Sequence, residues 1–151
     1  MKKTIAFTQE GHADLLKKKQ KLLEERPSAV AELKRAREMG DLSENGAYKG
    51  ARFKLSQIDR DLRFVENLLK IAYISEAKST DVVDIGTTVV LSTGNQTITY
   101  AIVGGFESNP LEGKISHVSP IGKSLLGKKA GESVTLVVPK GKVTYTILEI
   151  K

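Results

Sequence analysis

The stretch Gly40-Asp41-Leu42-Ser43-Glu44-Asn45-Gly46-Ala47-Tyr48 separates two long segments of helical apolar periodicity, and it determines how those segments pair. It combines glycine with residues that commonly begin or end helices. A connection this short makes the flanking helices run antiparallel, side by side. The stretch therefore predicts the turn of a helical hairpin, with the carboxylates of Asp41 and Glu44 at its tip.

The segment before the turn carries an apolar column with a seven-residue repeat, at Leu16, Leu23 and Val30. Such a repeat is typical of a coiled-coil helix, and we assign this column, together with the apolar residues beside it, to one stripe that forms the seam. Pro27 predicts a bend or one open hydrogen bond near Arg26. Further apolar residues lie beside the column, at Leu15, Leu22, Ala29, Leu33 and Ala36.

The segment after the turn has the more regular pattern, with apolar residues at alternating steps of three and four. These residues are Tyr48, Ala51, Leu55, Ile58, Leu62, Val65, Leu69 and Ala72. Because neither segment can bury its apolar side alone, the two are predicted to form an antiparallel two-helix coiled coil. Each arm of roughly thirty residues would be about 45 Å long.

Capping residues mark the ends of both arms. Thr8 is predicted to cap the start of the first arm, and Gly40 to end it in the left-handed conformation. Asp41 or Ser43 can cap the second arm, with Glu44 in its first turn. Capping chemistry alone can therefore explain the acids of the turn.

The composition excludes several kinds of site. The chain has 151 residues, of which 40% are hydrophobic and 5% aromatic, with no Trp and no Cys. Disulfides, thiol chemistry and zinc ribbons are thereby excluded, and a large aromatic-lined pocket is not expected. The apolar run after Lys2-Lys3 is too short for a signal-peptide core, and no run reaches membrane-spanning length. We expect a cytoplasmic protein.

The net charge of +6 belongs mostly to the helical part, since residues 1–75 carry 16 basic and 11 acidic residues. These charges can be the solvated face of a coiled coil, or they can contact a phosphate backbone. Arg37 favours the second reading because it continues the column of Val30, where a seam prefers an apolar residue, although it can also lie beyond the seam. The cations that flank the turn, which we call the basic collar, are Lys34, Arg35, Arg37, Lys49, Arg52 and Lys54.

A β-rich region follows the coiled coil. The heptad repeat ends near Ser75, so we predict a hairpin domain over 1–75, a linker over 76–81 and a second domain over 82–151. Ser119-Pro120 is predicted to open a short helix that runs to Gly127. The whole chain is thus predicted to be of the α+β class, with antiparallel strands. The predicted strands are Thr88–Ser92, Gln96–Val103, Lys114–Val118, Ser133–Val138 and Lys142–Ile150.

Two stretches resemble a known family. The run from Gly40 to Tyr48, followed by Ala51-Arg52, closely resembles the coiled-coil tip of bacterial transcript-cleavage factors of the GreA/GreB family, and the run from Ser119 to Glu132 resembles the signature of their C-terminal domain. The chain resembles GreA more than GreB, because its cations are scattered around the hairpin and not massed in one patch. The resemblance implies a coiled coil followed by a small FKBP-like β-sheet domain with a short helix, similar to FK506-binding proteins.

The resemblance also implies a function. Members of the family are transcription elongation factors that insert the coiled coil into the secondary channel of RNA polymerase, and are not enzymes themselves. Asp41 and Glu44 would share Mg²⁺ with the polymerase active site and help to position a water, supported by Ser43, so that the polymerase cleaves backtracked RNA. No stably bound cofactor and no membrane are implied, and we expect a monomer.

The same resemblance implies two sets of contacts. Positions that match the family's contacts to the nascent RNA 3′ end are Arg37, Arg52 and Lys49. The part of the C-terminal signature that would bind the polymerase consists of Ser119, Pro120, Ile121 and Gly122.

One departure from the family pattern concerns activity. Family members commonly have Ala-Glu-Tyr where this chain has Gly46-Ala47-Tyr48, so a third tip acid is missing and Gly46 loosens the first turn of the second arm. An inhibitor that occupies the channel without stimulating cleavage is therefore an alternative.

Two other classes remain open. An FKBP-like domain suggests a prolyl isomerase or folding helper, but that site needs an aromatic-lined pocket, and residues 76–151 offer only Tyr100, Phe106 and Tyr145. A plain coiled-coil adaptor or basic nucleic-acid binder would not need the tip acids, and would bind free RNA with strong salt dependence.

Overall fold

The computed structural model describes residues 3–40 and 46–151 of the chain. By contacts these residues group into two units, one of Ala13–Ile71 and one that combines the segment up to His12 with Ala72–Lys151. In chain order the elements are β1 Ile5–Phe7, α1 Gln9–Glu38, α2 Gly46–Ile71, β2 Ala72–Ile74, β3 Thr88–Thr93, β4 Gln96–Val103, a 3-10 turn Pro110–Glu112, β5 Lys114–Ser116, α3 Pro120–Leu125, β6 Ser133–Val138 and β7 Gly141–Ile150.

Helices α1 and α2 bury a shared apolar seam. Its core consists of Leu22, Ala29, Ile58, Leu62 and Val65, and partly buried leucines of both helices pack around it. The seam predicted for the second arm is confirmed within α2, whose residues supply most of this core, whereas Ala72 lies in β2. Small side chains are buried in the part of the seam nearer the turn: Ala29, Ala36 and Ala51.

The seam of α1 lies one residue away from the predicted column. Leu16, Leu23 and Val30 are 49%, 43% and 40% exposed, so their assignment to the seam is wrong. Arg37, which continues their column, is therefore at an exposed position, where a cation is ordinary. The buried column of α1 is the neighbouring one: Leu22, Ala29 and Ala36.

Cations of α1 explain which column is buried. Lys19 and Arg26 alternate with the residues of the buried column at steps of three and four, so they complete the seam. Their methylene stems can pack in the seam while their charged ends reach acids of α2. Arg26 Nε donates to Asp59 Oδ1 at 2.6 Å, and Lys19 Nζ lies 3.9 Å from Glu66 Oε1. The hydrogen bond from Arg26 lowers the pKa of Asp59. A search for apolar residues alone could not recognise these seam positions.

A matched pair of substitutions tests this seam. Leu22 is 9% exposed, whereas its neighbour Leu23 is 43% exposed. Because Leu22→Ala leaves a cavity between the helices, we expect it to lower the free energy of unfolding by about 2–4 kcal/mol, and Leu23→Ala to change it by less than about 0.5 kcal/mol. Chemical denaturation followed by far-ultraviolet circular dichroism measures both values, and equal losses would contradict the seam.

The ends of α1 follow the predicted capping. Gly11 N donates to Thr8 Oγ1 at 3.0 Å, and Gly40 has a φ of 115°, in the left-handed region. The helix continues through Pro27, so the irregularity predicted near Arg26 does not divide it. The residues predicted to cap the second arm lie within 41–45, outside the described residues.

The second unit is built on a five-stranded sheet with the strand order β5-β4-β3-β7-β6. Each strand predicted for this region is present within two residues at either end, and α3 lies where a short helix was predicted. Neighbouring strands are antiparallel except β4 and β5, which run parallel because the chain passes back through the 3-10 turn before β5. The α+β class is confirmed, with a mixed sheet in place of a wholly antiparallel one. Its core contains Val89, Leu91, Ile102, Leu125 and Ile147.

A short pair of parallel strands, β1 and β2, flanks the hairpin in sequence, and the sequence analysis missed it. Near β1, the Glu107 carboxylate accepts hydrogen bonds from the main-chain N–H groups of Thr8 at 2.9 Å and Gly104 at 2.7 Å, and from the Thr8 hydroxyl. The residues up to His12 consequently group with the β-rich unit, although the sequence analysis assigned them to the hairpin.

Candidate functional site

The predicted tip residues Asp41, Ser43 and Glu44 lie outside the described residues. The description stops at Gly40, after the end of α1, and resumes at Gly46, the first residue of α2. The catalytic and metal-binding roles of the three tip residues therefore remain predictions. Ala47 is exposed in the first turn of α2.

The basic collar lies on the last turns of α1 and the first turns of α2, and all six of its cations are exposed. Lys54 Nζ lies 3.1 Å from Glu32 Oε1 of the other helix. In the part of the chain that the structure describes, the other five have no ion-pair partner. The predicted RNA-contacting residues Arg37, Lys49 and Arg52 are among these five.

Arg37 and Arg52 lie on the same side of the hairpin. The ion pair between Arg26 and Asp59 marks that side. Arg37 follows Arg26 by eleven residues, about three helical turns, and Arg52 precedes Asp59 by seven residues, about two turns. Helical periodicity therefore brings the two arginines to one side, nearer the turn than the ion pair.

The predicted polymerase-binding segment has a well-defined local structure. The Ser119 hydroxyl caps α3 by accepting a hydrogen bond from Gly122 N at 3.1 Å, and it donates to Ser116 O at 2.7 Å. A Cβ on Gly122 would lie 2.0 Å from Ser116 O, so only glycine fits there. Ile121 packs against the core, while Pro120 is exposed. The local fold thus explains Ser119 and Gly122, and leaves Pro120 available to a partner.

The β-rich unit contains an open cavity of about 640 Å³ whose walls do not suit proline. The described residues that line it include Glu10, Glu76 and Lys114 but no aromatic side chain. Phe106 stacks on Phe7 with ring centroids 6.5 Å apart, and Tyr100 and Tyr145 pack against the core. The cavity lacks the aromatic lining that a prolyl isomerase needs.

Two further searches gave no site. Within 3–40 and 46–151, no group of three His, Cys, Asp or Glu residues could hold a metal ion. None of the described helices is long and apolar enough to cross a membrane.

Comparison with known proteins gives matches over nearly all of the chain. The family model described as transcription elongation factor, N-terminal, matches residues 5–74, and the model described as transcription elongation factor, GreA/GreB, C-term, matches residues 78–151. A crystal structure of GreA factor homolog 1 (Gfh1) of Thermus thermophilus aligns with 99% of this chain and 99% of its own, at 27% identity and a TM-score of 0.47.

Curated relatives named transcription elongation factor GreA match over similar lengths. The protein of Caldanaerobacter subterraneus subsp. tengcongensis is 40% identical over 156 residues, covering 100% of this chain and 99% of its own. That of Nitratiruptor sp. is 38% identical over 154 residues, covering 99% and 94%. The resemblance inferred from the tip and from the C-terminal signature is confirmed, and the chain belongs to the GreA/GreB family of transcription elongation factors.

Proposed function

We propose that this chain binds RNA polymerase in the cytoplasm, inserts its hairpin into the secondary channel, and stimulates the polymerase's own cleavage of backtracked RNA. Family membership supports this proposal, and the observation that carries it is the position of Asp41 and Glu44. They fall in the short segment that joins α1 to α2, beside helix ends that carry exposed cations. Two acids in such a turn are suited to completing a site that another protein builds.

Asp41 and Glu44 are the residues that would hold Mg²⁺ together with the polymerase. Mg²⁺ prefers six oxygen ligands and keeps several waters, so two carboxylates supply only part of its shell. In two-metal phosphoryl chemistry a bound ion stabilises the attacking or the leaving oxygen. The carboxylates would also orient the attacking water, with Ser43 supporting the tip. Because the partner must complete the site, the chain alone is not expected to cleave RNA.

We further propose that the collar cations Arg37, Arg52 and Lys49 contact the phosphates of the nascent RNA 3′ end. Arg37 and Arg52 share one side of the hairpin and form no ion pair with a described acid, which supports this role. Near the C-terminus, the segment from Ser119 to Gly122 would contact the rim of the channel, with the exposed Pro120 as its most accessible side chain.

A charge-removal series tests the collar. Arg37→Gln or Arg52→Gln is expected to raise the protein concentration needed for half-maximal RNA release at least about tenfold, because one charge-assisted contact is worth about 1.5–3 kcal/mol. The slope of the logarithm of the binding constant against the logarithm of the salt concentration should become shallower by about 0.7 for each lost phosphate contact. Lys54→Gln is the matched control, since Glu32 already pairs with that cation. An equal effect of all three substitutions would argue for a general loss of charge.

The proposed function is tested on a stalled, backtracked elongation complex with Mg²⁺. Adding the protein should release short RNA fragments from the 3′ end, and the remaining RNA should become extendable. The protein incubated with the same RNA but without polymerase should release nothing. Polymerase binding without fragment release would point to the inhibitory alternative, and binding to free RNA but not to polymerase would point to a simple nucleic-acid binder.

A further inference from the structure

Strand β6 forms one edge of the five-stranded sheet, and its own six residues lack the charges and prolines that usually protect an edge, although Pro139 directly follows it. Its six residues, Ser133–Val138, contain no charge and no proline, and four of them are Val or Leu. The opposite edge, β5, has only three residues and includes Lys114, which pairs with Glu10 and Glu112. Only β6 therefore combines length, β propensity and the absence of charge.

The hydrogen bonds of β6 leave its outer side open. Its main chain pairs with β7 alone, and in the described part of the chain no further main-chain hydrogen bond involves residues 133–138. On the solvent face, the hydroxyls of Ser133 and Thr135 bond to those of Thr146 and Thr144 of β7, which fixes the register of the strand. Val137, on the same face, is 80% exposed. The outer main-chain groups of β6 are therefore available to another strand.

The charges at the two ends of β6 favour a particular partner. Glu132 directly precedes the strand, and Lys140 follows it in the turn to β7. Both are exposed. If a second identical strand runs antiparallel, Glu132 of each copy comes to the end that carries Lys140 of the other, whereas a parallel in-register pair would place like charges together.

We propose that two copies of this chain associate through β6, which pairs antiparallel with β6 of the second copy about a twofold axis at Leu136. In this register Val134 lies opposite Val138 of the second copy, and Glu132 lies at the end of the pair where the turn of the second copy carries Lys140. Residues opposite each other in the pair point to the same face of the sheet. The core-facing side chains of one β6 therefore lie beside the core-facing side chains of the other. The contact is isologous and closes at two chains, and it joins the two sheets into one.

This association is weak by the standards of permanent dimers. One strand pair buries little area against the roughly 1,200–2,000 Å² of stable interfaces, so we expect a dissociation constant on the order of 100 µM. The chain is then a monomer when dilute, as the sequence analysis expects, and a dimer when concentrated. The inference stands independently of any contact with polymerase.

Sedimentation velocity at low salt, from about 10 to about 500 µM protein, tests the proposal. The wild-type mass should rise with concentration from that of one chain toward that of two. Lys140→Glu places two acids opposite each other at both ends, and should weaken association at least tenfold. Lys142→Glu makes the same charge change on the exposed turn end of β7, away from the pairing edge, and should leave association unchanged.

A charge swap separates pairing from a general loss of positive charge. The double variant Glu132→Lys with Lys140→Glu restores opposite charges across the pair, and should recover the association that Lys140→Glu loses. Glu132 also accepts a hydrogen bond from Lys129 N at 2.6 Å, so the thermal stability of the double variant is measured as well. The proposal is overturned if the wild type keeps the mass of one chain at all concentrations. It is also overturned if Lys140→Glu and Lys142→Glu have equal effects, or if the double variant folds stably but does not regain association.

Discussion

Asp41→Asn or Glu44→Gln is expected to reduce the maximal rate of stimulated RNA release at least about 100-fold, because each removes a carboxylate that completes a metal site. The replacements keep size and hydrogen-bonding capacity, and Asn caps a helix about as well as Asp. Loss of the helix cap is therefore not expected to contribute. The measurement is single-turnover RNA release from a backtracked complex at saturating protein.

Binding and charge controls make this result specific. Competition with labelled wild-type protein should show that both variants still bind polymerase within a few-fold. Glu38→Gln is the matched control, since Glu38 is an exposed acid at the end of α1, outside the tip, and its loss should leave release unchanged. Unchanged release by both tip variants would falsify the metal role. A wild type that binds but releases no RNA would point to the missing acid at Ala47 and to the inhibitory alternative.

Gly104→Ala is expected to lower the free energy of unfolding of the β-rich unit by at least about 2 kcal/mol, a large effect for one methyl group. A Cβ at this position would lie 2.0 Å from Ala6 O and 2.7 Å from Glu107 Oε2. The methyl group would therefore push β1 away from the end of β4, and would displace the carboxylate that holds Thr8. Thermal and chemical denaturation of the two proteins measure the loss.

The neighbouring glycine provides the control. A Cβ on Gly105 would lie no closer than 3.7 Å to its nearest neighbour, Val118 Cγ2, which is an ordinary van der Waals distance. Gly105→Ala is the same substitution at the next residue, and it should alter the free energy of unfolding by less than about 0.5 kcal/mol. Similar losses in the two variants would indicate that the cost comes from the unfolded chain and not from the contact with Ala6.

Local patterns in the sequence predicted much of the fold. The three-and-four spacing of α2 and the Ser119-Pro120 cap of α3 depend on residues close in the chain, and the structure confirms them. The seam of α1 was misplaced because two apolar columns lie side by side, and the buried one is completed by Lys19 and Arg26, whose acid partners are 47 and 33 residues away. The spacing of apolar residues does not indicate ion pairs between the two helices.

Contacts between distant segments account for the other differences. Thr8 and Glu107 are 99 residues apart, and nothing near either residue in the sequence indicates that they meet. The parallel pairing of β4 with β5 depends on the path of the intervening loop, which strand propensity does not determine. The candidate site was recognised by resemblance to a family, because acids at a helical turn are equally explained by capping.

The sizes of the fully buried side chains change along the hairpin. Alanines are buried toward the turn, at Ala29, Ala36 and Ala51, while leucines and a valine are buried farther from it, at Leu22, Leu62 and Val65. The separation of packed helices varies between about 8 and 10 Å with the side chains at the contact, so small residues allow two helices to approach more closely. The residues that hold the helices together therefore also influence how wide a passage the turn end of the hairpin needs.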